Sequence, residues 1–370
     1  MTRPHNSLRE LMTLGQSVWL DFIDRALIEG GGLARLIDED GVCGLTSNPA
    51  IFEQAVATGG AYDAEIDRLA AAGLDAAGIV RSIAVADIQA AADLLRPAFV
   101  TSATLDGYAS LEVSPDLARD AAATMAEARA LWRQLARPNV MIKVPATQEA
   151  LPAIQALIAE GINVNVTLLF DVGRYRAVAD AWLAGLERRA AAGVSVASVA
   201  SVASFFVSRI DTAVDGELER AGRAGAALRG EAAIACARMA YEAWREIHAE
   251  PRWQALLARG AQPQRLLWAS TGTKDPAHAD VKYVEALIGP HTVTTLPPAT
   301  LEAFRHHGRA RPTLARAADD ARMLPARLAA RGVDLAAVAA RLEAEGIGKF
   351  ALAHRRLLNA IQARLAPGSL

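Results

Sequence analysis

Three ionisable residues interrupt runs that otherwise read as buried strands: Lys143 in NVMIKVPAT (139–147), Glu112 in YASLEV (108–113) and Asp21 in SVWLDFI (17–23). Taken singly, each has a plain explanation. A strand lysine often sits at a barrel mouth or pairs with a carboxylate, and Asp21 could cap a helix or pair with Arg25. Taken together, a lysine and two carboxylates near the C-terminal ends of different strands are hard to explain by packing, because each unpaired buried charge costs several kcal/mol in desolvation. They do suit one chemistry. A lysine enclosed by apolar neighbours such as Met141 has its ammonium form disfavoured, and the neutral amine can attack a ketone to form a Schiff base. The protonated iminium then draws electrons from the adjacent carbon–carbon bond, so aldol cleavage needs no metal. Glu112 and Asp21 are suited to the proton transfers.

The elements that must position these residues alternate regularly. Short β-branched and apolar runs precede alanine-rich stretches with apolar residues three and four apart, such as DAAATMAEARALWRQL (120–135). Strands are expected at 17–23, 41–48, 108–113, 139–145, 162–170, 194–207, 265–271 and 291–296, the number that closes a parallel (β/α)8 TIM barrel with peripheral helices. Chemistry in such a barrel gathers at the C-terminal strand ends. A Rossmann-like open sheet shows the same alternation, but GGGL (30–33) follows a helix and reads as a helix stop, and no G-x-G-x-x-G opens a helix.

Expected helix starts are Asp24, Ser114-Pro115, Thr147 and a capping box at Ser208-x-x-Asp211. The longest helical insertions are 50–104 and 208–260. Residues 299–366 are helical in pattern, with breaks at Pro312, Pro325, Gly332 and Gly346. No Gly- or Ser-rich linker divides the chain, so residues 1–370 read as one barrel domain with a helical C-terminal extension from about 299 to 370. In INVNVTLLF, Asn163, Asn165 and Thr167 share one parity and are expected to face the lumen, either as a satisfied polar layer or as part of a site. Val164, Val166, Leu168 and Phe170 share the other.

The 370 residues are 52% hydrophobic and carry 39 basic against 41 acidic side chains, which favours a soluble globular protein. Aromatics are 5% and no basic stretch interleaves with them, so nucleic acid is not an expected partner. The segment MTRPHNSLRELM has no apolar core for a signal peptide, and no apolar run of about 18 residues escapes charges, Gly or Pro. Neither export nor a membrane span is expected. Cys43 and Cys236 lie far apart with no C-x-x-C, which fits a reducing, cytoplasmic setting. The histidines, His248 and His306-His307 among them, show no H-x-x-x-H or H-E-x-x-H spacing, so no metal site and no cofactor are expected. Apolar helix faces would serve either a homodimer interface or packing on the barrel.

The motifs resemble those of the transaldolase family, within the class I Schiff-base aldolases. MIKVPAT resembles the family's lysine motif, GLTSNP (44–49) its Thr-Asn-Pro signature and NVTLLF (165–170) its Asn-x-Thr strand. WLDFIDR (19–25), SLEVSP (110–115), SFFVSRID (204–211) and WASTGTKDP (268–276) follow in the family's order. Length and wording are most similar to the longer bacterial subgroup, without the glucose-6-phosphate isomerase domain to which some of its members are fused.

The resemblance implies that Lys143 forms a Schiff base with a ketose donor. It implies that Glu112 moves protons through a water held with Thr167, and that Asp21 handles the proton of the C4 hydroxyl. Asn48 and Asn165 would hold dihydroxyacetone hydroxyls, Ser204 and Phe206 would line the pocket, and Arg209 would bind the substrate phosphate. For Arg209, a surface pair with Asp211 or Asp215 is the alternative. Many relatives carry a second phosphate-binding arginine two residues after a serine on the seventh strand. Here Ser270 is followed by Thr271 and Gly272, so Lys274 is expected to substitute as a point charge, with Ser270 donating a hydrogen bond.

The implied reaction moves a dihydroxyacetone unit from sedoheptulose 7-phosphate or fructose 6-phosphate to glyceraldehyde 3-phosphate or erythrose 4-phosphate, in the non-oxidative pentose phosphate pathway. Two alternatives stay open. One is a fructose-6-phosphate aldolase-like lyase, which typically has glutamine and tyrosine where this chain has Glu112 and Phe206. The other is a non-catalytic sugar-phosphate-binding barrel, against which the joint presence of Lys143, Glu112 and Asp21 argues.

Overall fold

The computed structural model describes residues 6–58, 60–220, 226–316 and 318–365. The first five residues, part of the segment read for a signal peptide, lie outside the described residues, as do the last five of the expected 299–370 extension. Eight strands, β1 (Gln16–Leu20), β2 (Gly44–Thr46), β3 (Tyr108–Glu112), β4 (Val140–Pro145), β5 (Val164–Leu169), β6 (Ser201–Phe206), β7 (Arg265–Ala269) and β8 (Thr292–Leu296), pair in parallel in sequence order. β1 also pairs with β8, so the sheet closes and the TIM barrel is the observed architecture. A closed ring has no switch point, which removes the open-sheet alternative.

The barrel needs strands apolar on both faces, because the helices cover one and the lumen layers fill the other. Seven strands are accordingly buried throughout and β3 up to its last residue, Glu112, and most helices present alanine, leucine and isoleucine to them; Ala153, Ile154, Leu157 and Ile158 of helix Leu151–Glu160 are all buried. Register brings the charged residues together. Glu112 of β3 pairs with Lys143 of β4, and Lys143 pairs with Asn165 of β5, so the three lie side by side in one row. β5 then breaks register between Val166 and Leu169, with Leu168 at φ 63°, a left-handed conformation that a branched side chain adopts only under tertiary constraint.

Several local expectations differ from the structure. The expected strand 194–207 is strand only from Ser201; Gly193 has φ 74° and Arg189 Nε donates to the Ser195 carbonyl, turning the earlier Val-Ser-Val repeat away from the barrel. Pro325 and Gly346 do not break helices: Ala318–Ala329 runs through Pro325 and Leu335–Leu365 runs through Gly346. Leu324 and Leu328 are buried beside Pro325, so packing offsets the hydrogen bond that proline removes. Asp211 makes no capping box; its carboxylate instead accepts from Ala233 N, Lys282 Nζ and Tyr283 Oη. Asp24 caps its helix by accepting from Leu27 N, whereas Thr147 accepts from Ala150 N in the turn ahead of helix Leu151–Glu160, whose N-cap position is Ala150. Ser114-Pro115 opens only the 3-10 turn Pro115–Leu117, and Asp120 caps the following helix through Ala123 N.

The helix Leu335–Leu365, about 45 Å long at its 31 residues, packs against helices Ser208–Arg220 and Pro49–Thr58, β5 and the Pro115–Leu117 turn. Ion pairs fasten it along its length: Arg341 to Glu217 at 2.7 Å, Glu343 to Arg174 at 3.7 Å, Arg355 to Asp116 at 3.5 Å and Arg364 to Asp67 at 3.1 Å. At the opposite, N-terminal end of the strands, Asp106 accepts from Ser17 Oγ, Trp19 Nε1 and Arg265 Nη2 in a buried network. No helix of the described residues is long and apolar enough to cross a membrane.

Candidate active site

β4 carries Lys143 into the lumen, where its Nζ lies 3.1 Å from Glu112 Oε2 and donates to the Ser47 carbonyl at 2.8 Å. Both side chains of the pair are only 5% exposed, so little water screens them. The surroundings differ from the apolar enclosure expected around this lysine. Met141 is buried on the same strand parity, but the nearest atoms to Nζ are a carboxylate and a carbonyl. Burial pushes the Glu112 carboxyl above the usual carboxylate range, against the pull of Lys143. Among the described residues, Glu112 Oε2 accepts no hydrogen bond beyond the ion pair, and Thr167 Oγ1 is buried without one.

Asp21 extends from the end of β1 into the same cavity of about 190 Å³ that Lys143 and Thr167 line. Desolvation raises its carboxyl too, with Lys143, Thr46 and Arg209 pulling in the other direction. Thr46 Oγ1 donates to Asp21 Oδ1 at 2.8 Å and is itself 2.9 Å from Thr295 Oγ1, so a two-hydroxyl relay from β8 through β2 fixes one carboxylate oxygen. Asp21 Oδ2 accepts no hydrogen bond among the described residues. The suggested Asp21–Arg25 pair does not form, because Arg25 is engaged by Asp87 and Glu65.

The remaining expected residues fall into two sets. Asn48, Ser204, Phe206, Arg209, Ser270 and Lys274 line this cavity. Asn48 Oδ1 accepts from Ala50 N and Ile51 N at the start of helix Pro49–Thr58, and its amide NH2 donates no hydrogen bond among the described residues. Ser270, at φ 55° just past β7, has its Oγ 2.9 Å from Ser208 Oγ. Glu112 and Asn165 are absent from the lining. Asn165 is fully buried beneath it, donating to Ser110 Oγ and accepting from Ser204 Oγ at 2.7 Å, so its amide positions Ser204. Glu112 lies behind Lys143 and borders a neighbouring cavity that also touches Asn48 and His354.

Arg209, one residue into helix Ser208–Arg220, pairs with neither Asp211 nor Asp215; its guanidinium carbon sits over the rings of Phe206 at 5.2 Å and Phe350 at 5.8 Å. Lys274 is exposed at the rim. Sequence reasoning missed Ser47, Thr46, Thr295 and Phe350. Thr46 and Thr295 were visible as hydroxyls near strand ends; Phe350 carried no signal, being one apolar residue in an amphipathic helix. Among the described residues, no group of three or more His, Cys, Asp or Glu is clustered to hold a metal ion.

At one end this cavity offers an amine flanked by two carboxyls of raised proton affinity, and at the other a guanidinium, a hydroxyl and an ammonium. That arrangement can form an imine, move protons about it and hold an anionic tail. The model for the Transaldolase/Fructose-6-phosphate aldolase family matches residues 18–361. A protein of Parafrankia sp. named transaldolase is 50% identical over 99% of both chains. One of Thiobacillus denitrificans with the same name is 48% identical over 95% of this chain and 99% of its own, and "Transaldolase 2" of Nostoc sp. is 44% identical over 97% and 98%. The match runs from within β1 through the other seven barrel strands and into the helix that crosses the site, and the chain belongs to the transaldolase/fructose-6-phosphate aldolase family.

Proposed function

We propose that this protein is a transaldolase, transferring a dihydroxyacetone unit from a ketose phosphate to an aldose phosphate through an imine on Lys143. The observation that carries the reading is the position of Lys143 Nζ: Glu112 is 3.1 Å away on one side, and on the other lies a cavity shared with Asp21.

In this reading Glu112, made more basic by burial, takes a proton from the Lys143 ammonium, and the neutral amine adds to the donor's ketone carbon. Glu112 returns the proton to the carbinolamine oxygen, which leaves as water. Glu112, whose Oε2 faces Lys143, and the Thr167 hydroxyl, on the two strands flanking Lys143, are the groups that would hold that water. Asp21 Oδ2 takes the proton of the C4 hydroxyl, the C3–C4 bond breaks, and its electron pair moves into the iminium to give an enamine. The aldose phosphate departs. When the acceptor binds, the enamine carbon attacks its aldehyde, Asp21 returns the proton to the new hydroxyl, and hydrolysis of the imine frees Lys143. Asn48 and Ser204, the latter set by Asn165, would hold the hydroxyls of the three-carbon unit. Arg209, Ser270 and Lys274 would hold the phosphate, the guanidinium through its planar fork.

Glu112 and Phe206 favour transfer over release, because the lyases of this family typically carry glutamine and tyrosine there. Two buried free cysteines and the phosphate-ester substrates suit the cytosol. Borohydride added with fructose 6-phosphate should leave a mass adduct on Lys143; no adduct would remove the enzyme reading. Supplying erythrose 4-phosphate should then give a seven-carbon product. Free dihydroxyacetone with or without the acceptor would make the protein an aldolase instead.

A further inference from the structure

We propose that Phe350, on the helix that crosses the barrel, is a positioning residue for the phosphate site: with Phe206 it clamps the Arg209 guanidinium and sets its aim. Among the described residues Arg209 makes no hydrogen bond or ion pair, although burial makes its charge expensive to leave unheld. What touches it is aromatic on two sides, Phe206 from β6 at 5.2 Å and Phe350 at 5.8 Å. Contacts of this kind use the face of the guanidinium and leave the N–H groups at its edge free, which is what a phosphate acceptor needs.

The helix is built to come this close. A Cβ on Gly346, one turn before Phe350, would lie 2.9 Å from Leu168 Cδ2 and 3.5 Å from Arg209 Nη1, so glycine lets the helix rest on both. Leu168 is the left-handed residue where β5 leaves register, next to Thr167. Phe350 is 4% exposed and lines the cavity with Arg209 and Lys274. The C-terminal helix is thereby a wall of the phosphate end, far in sequence from every motif that marks the site.

The inference rests on the proposed function for the identity of the anion, but its test is separable. Phe350→Leu keeps apolar bulk and removes the ring. It should weaken competitive inhibition by inorganic phosphate about three- to tenfold, the range a cation–π contact supports. The KM for fructose 6-phosphate should rise by a similar factor with kcat little changed, and Phe350→Tyr, which restores a ring face, should recover both. In an Arg209→Ala background Phe350→Leu should raise KM no further. Should Phe350→Leu fail to fold, Phe350→Met carries the same expectations. A Phe350 variant that leaves phosphate inhibition unchanged, or that raises KM equally without Arg209, overturns the clamp. Borohydride trapping with phosphate-free dihydroxyacetone reads Lys143 alone: absence of that adduct in the wild type would sink the proposed function, while phosphate titration would still report on Phe350.

Discussion

Glu112 and Lys143 occupy paired positions on adjacent strands, with Oε2 and Nζ 3.1 Å apart and both side chains 5% exposed. An ion pair so enclosed is a weak contributor to stability, since desolvation consumes most of the attraction. Its use is better sought in the proton it can pass. Glu112→Gln keeps the shape and a hydrogen-bonding oxygen but removes the base. Imine formation should slow by about 10²- to 10⁴-fold, the usual range for a positioned acid–base group. Rapid-quench borohydride trapping measures that step directly, and a rate within threefold of wild type would show that the pair is structural.

The phosphate end should divide its work unequally. Arg209 is held inside the cavity wall, and its charge-assisted hydrogen bonds in a partly desolvated site should be worth about 1.5–3 kcal/mol. Arg209→Ala should therefore raise the KM for fructose 6-phosphate at least tenfold. Lys274 is exposed at the rim, where it would act only as a screened point charge, so Lys274→Ala should raise KM only a few-fold, with an effect that shrinks as salt is added. If KM is unmoved in Lys274→Ala at low salt, Lys274 does not stand in for a second arginine.

Sequence reading reached the row of Glu112, Lys143 and Asn165 because strand parity is rigid: once a barrel is inferred, these residues can only face inward at the C-terminal ends. It reached Thr167 for the same reason, but not the register break beside it, which depends on the helix lying over Leu168. Phe350 and Gly346 were illegible because their importance arises only where a helix from the end of the chain meets β5 and Arg209. Gly346 even pointed the wrong way, suggesting a helix break where the structure uses a missing side chain for close approach. Asp211 misled similarly: the spacing from Ser208 fits a cap, yet Lys282 and Tyr283, brought by the β7–β8 connection, claim its carboxylate.

Burial raises the Asp21 carboxyl above its ordinary value. Between its unfolded and folded pKa values the folded protein therefore binds more protons than the unfolded chain, and stability falls as pH rises through that window. Asp21→Asn removes this penalty while Lys143 keeps Glu112 as its partner. The variant should melt a few degrees above wild type at pH 8, with the advantage disappearing as pH drops below the ordinary aspartate range near 4. It should also be nearly inactive, the exchange of stability for function expected of a buried proton-transfer group. Calorimetry across pH 3.5–8 tests the sign; a variant less stable than wild type at pH 8 would mean that Asp21 is a net structural partner of Lys143 and Arg209.

Asp106 shows the opposite electrostatics at the other end of the barrel. Burial works against its charge, but Arg265, with hydrogen bonds from Ser17 and Trp19, outweighs that and holds the carboxyl below its usual range. A depressed folded pKa contributes stability that is present above the unfolded value and lost as pH falls through the folded one. Asp106→Ala strands the Arg265 guanidinium, itself 4% exposed, and should destabilise by about 3–5 kcal/mol at pH 7. The deficit should narrow towards pH 3. Because Asp106 lies at the N-terminal face, where barrels keep stability rather than chemistry, the folded fraction of Asp106→Ala at low temperature should form the Lys143 adduct at the wild-type rate per folded molecule. A large loss of that rate with the fold intact would show that the two ends of the barrel are coupled.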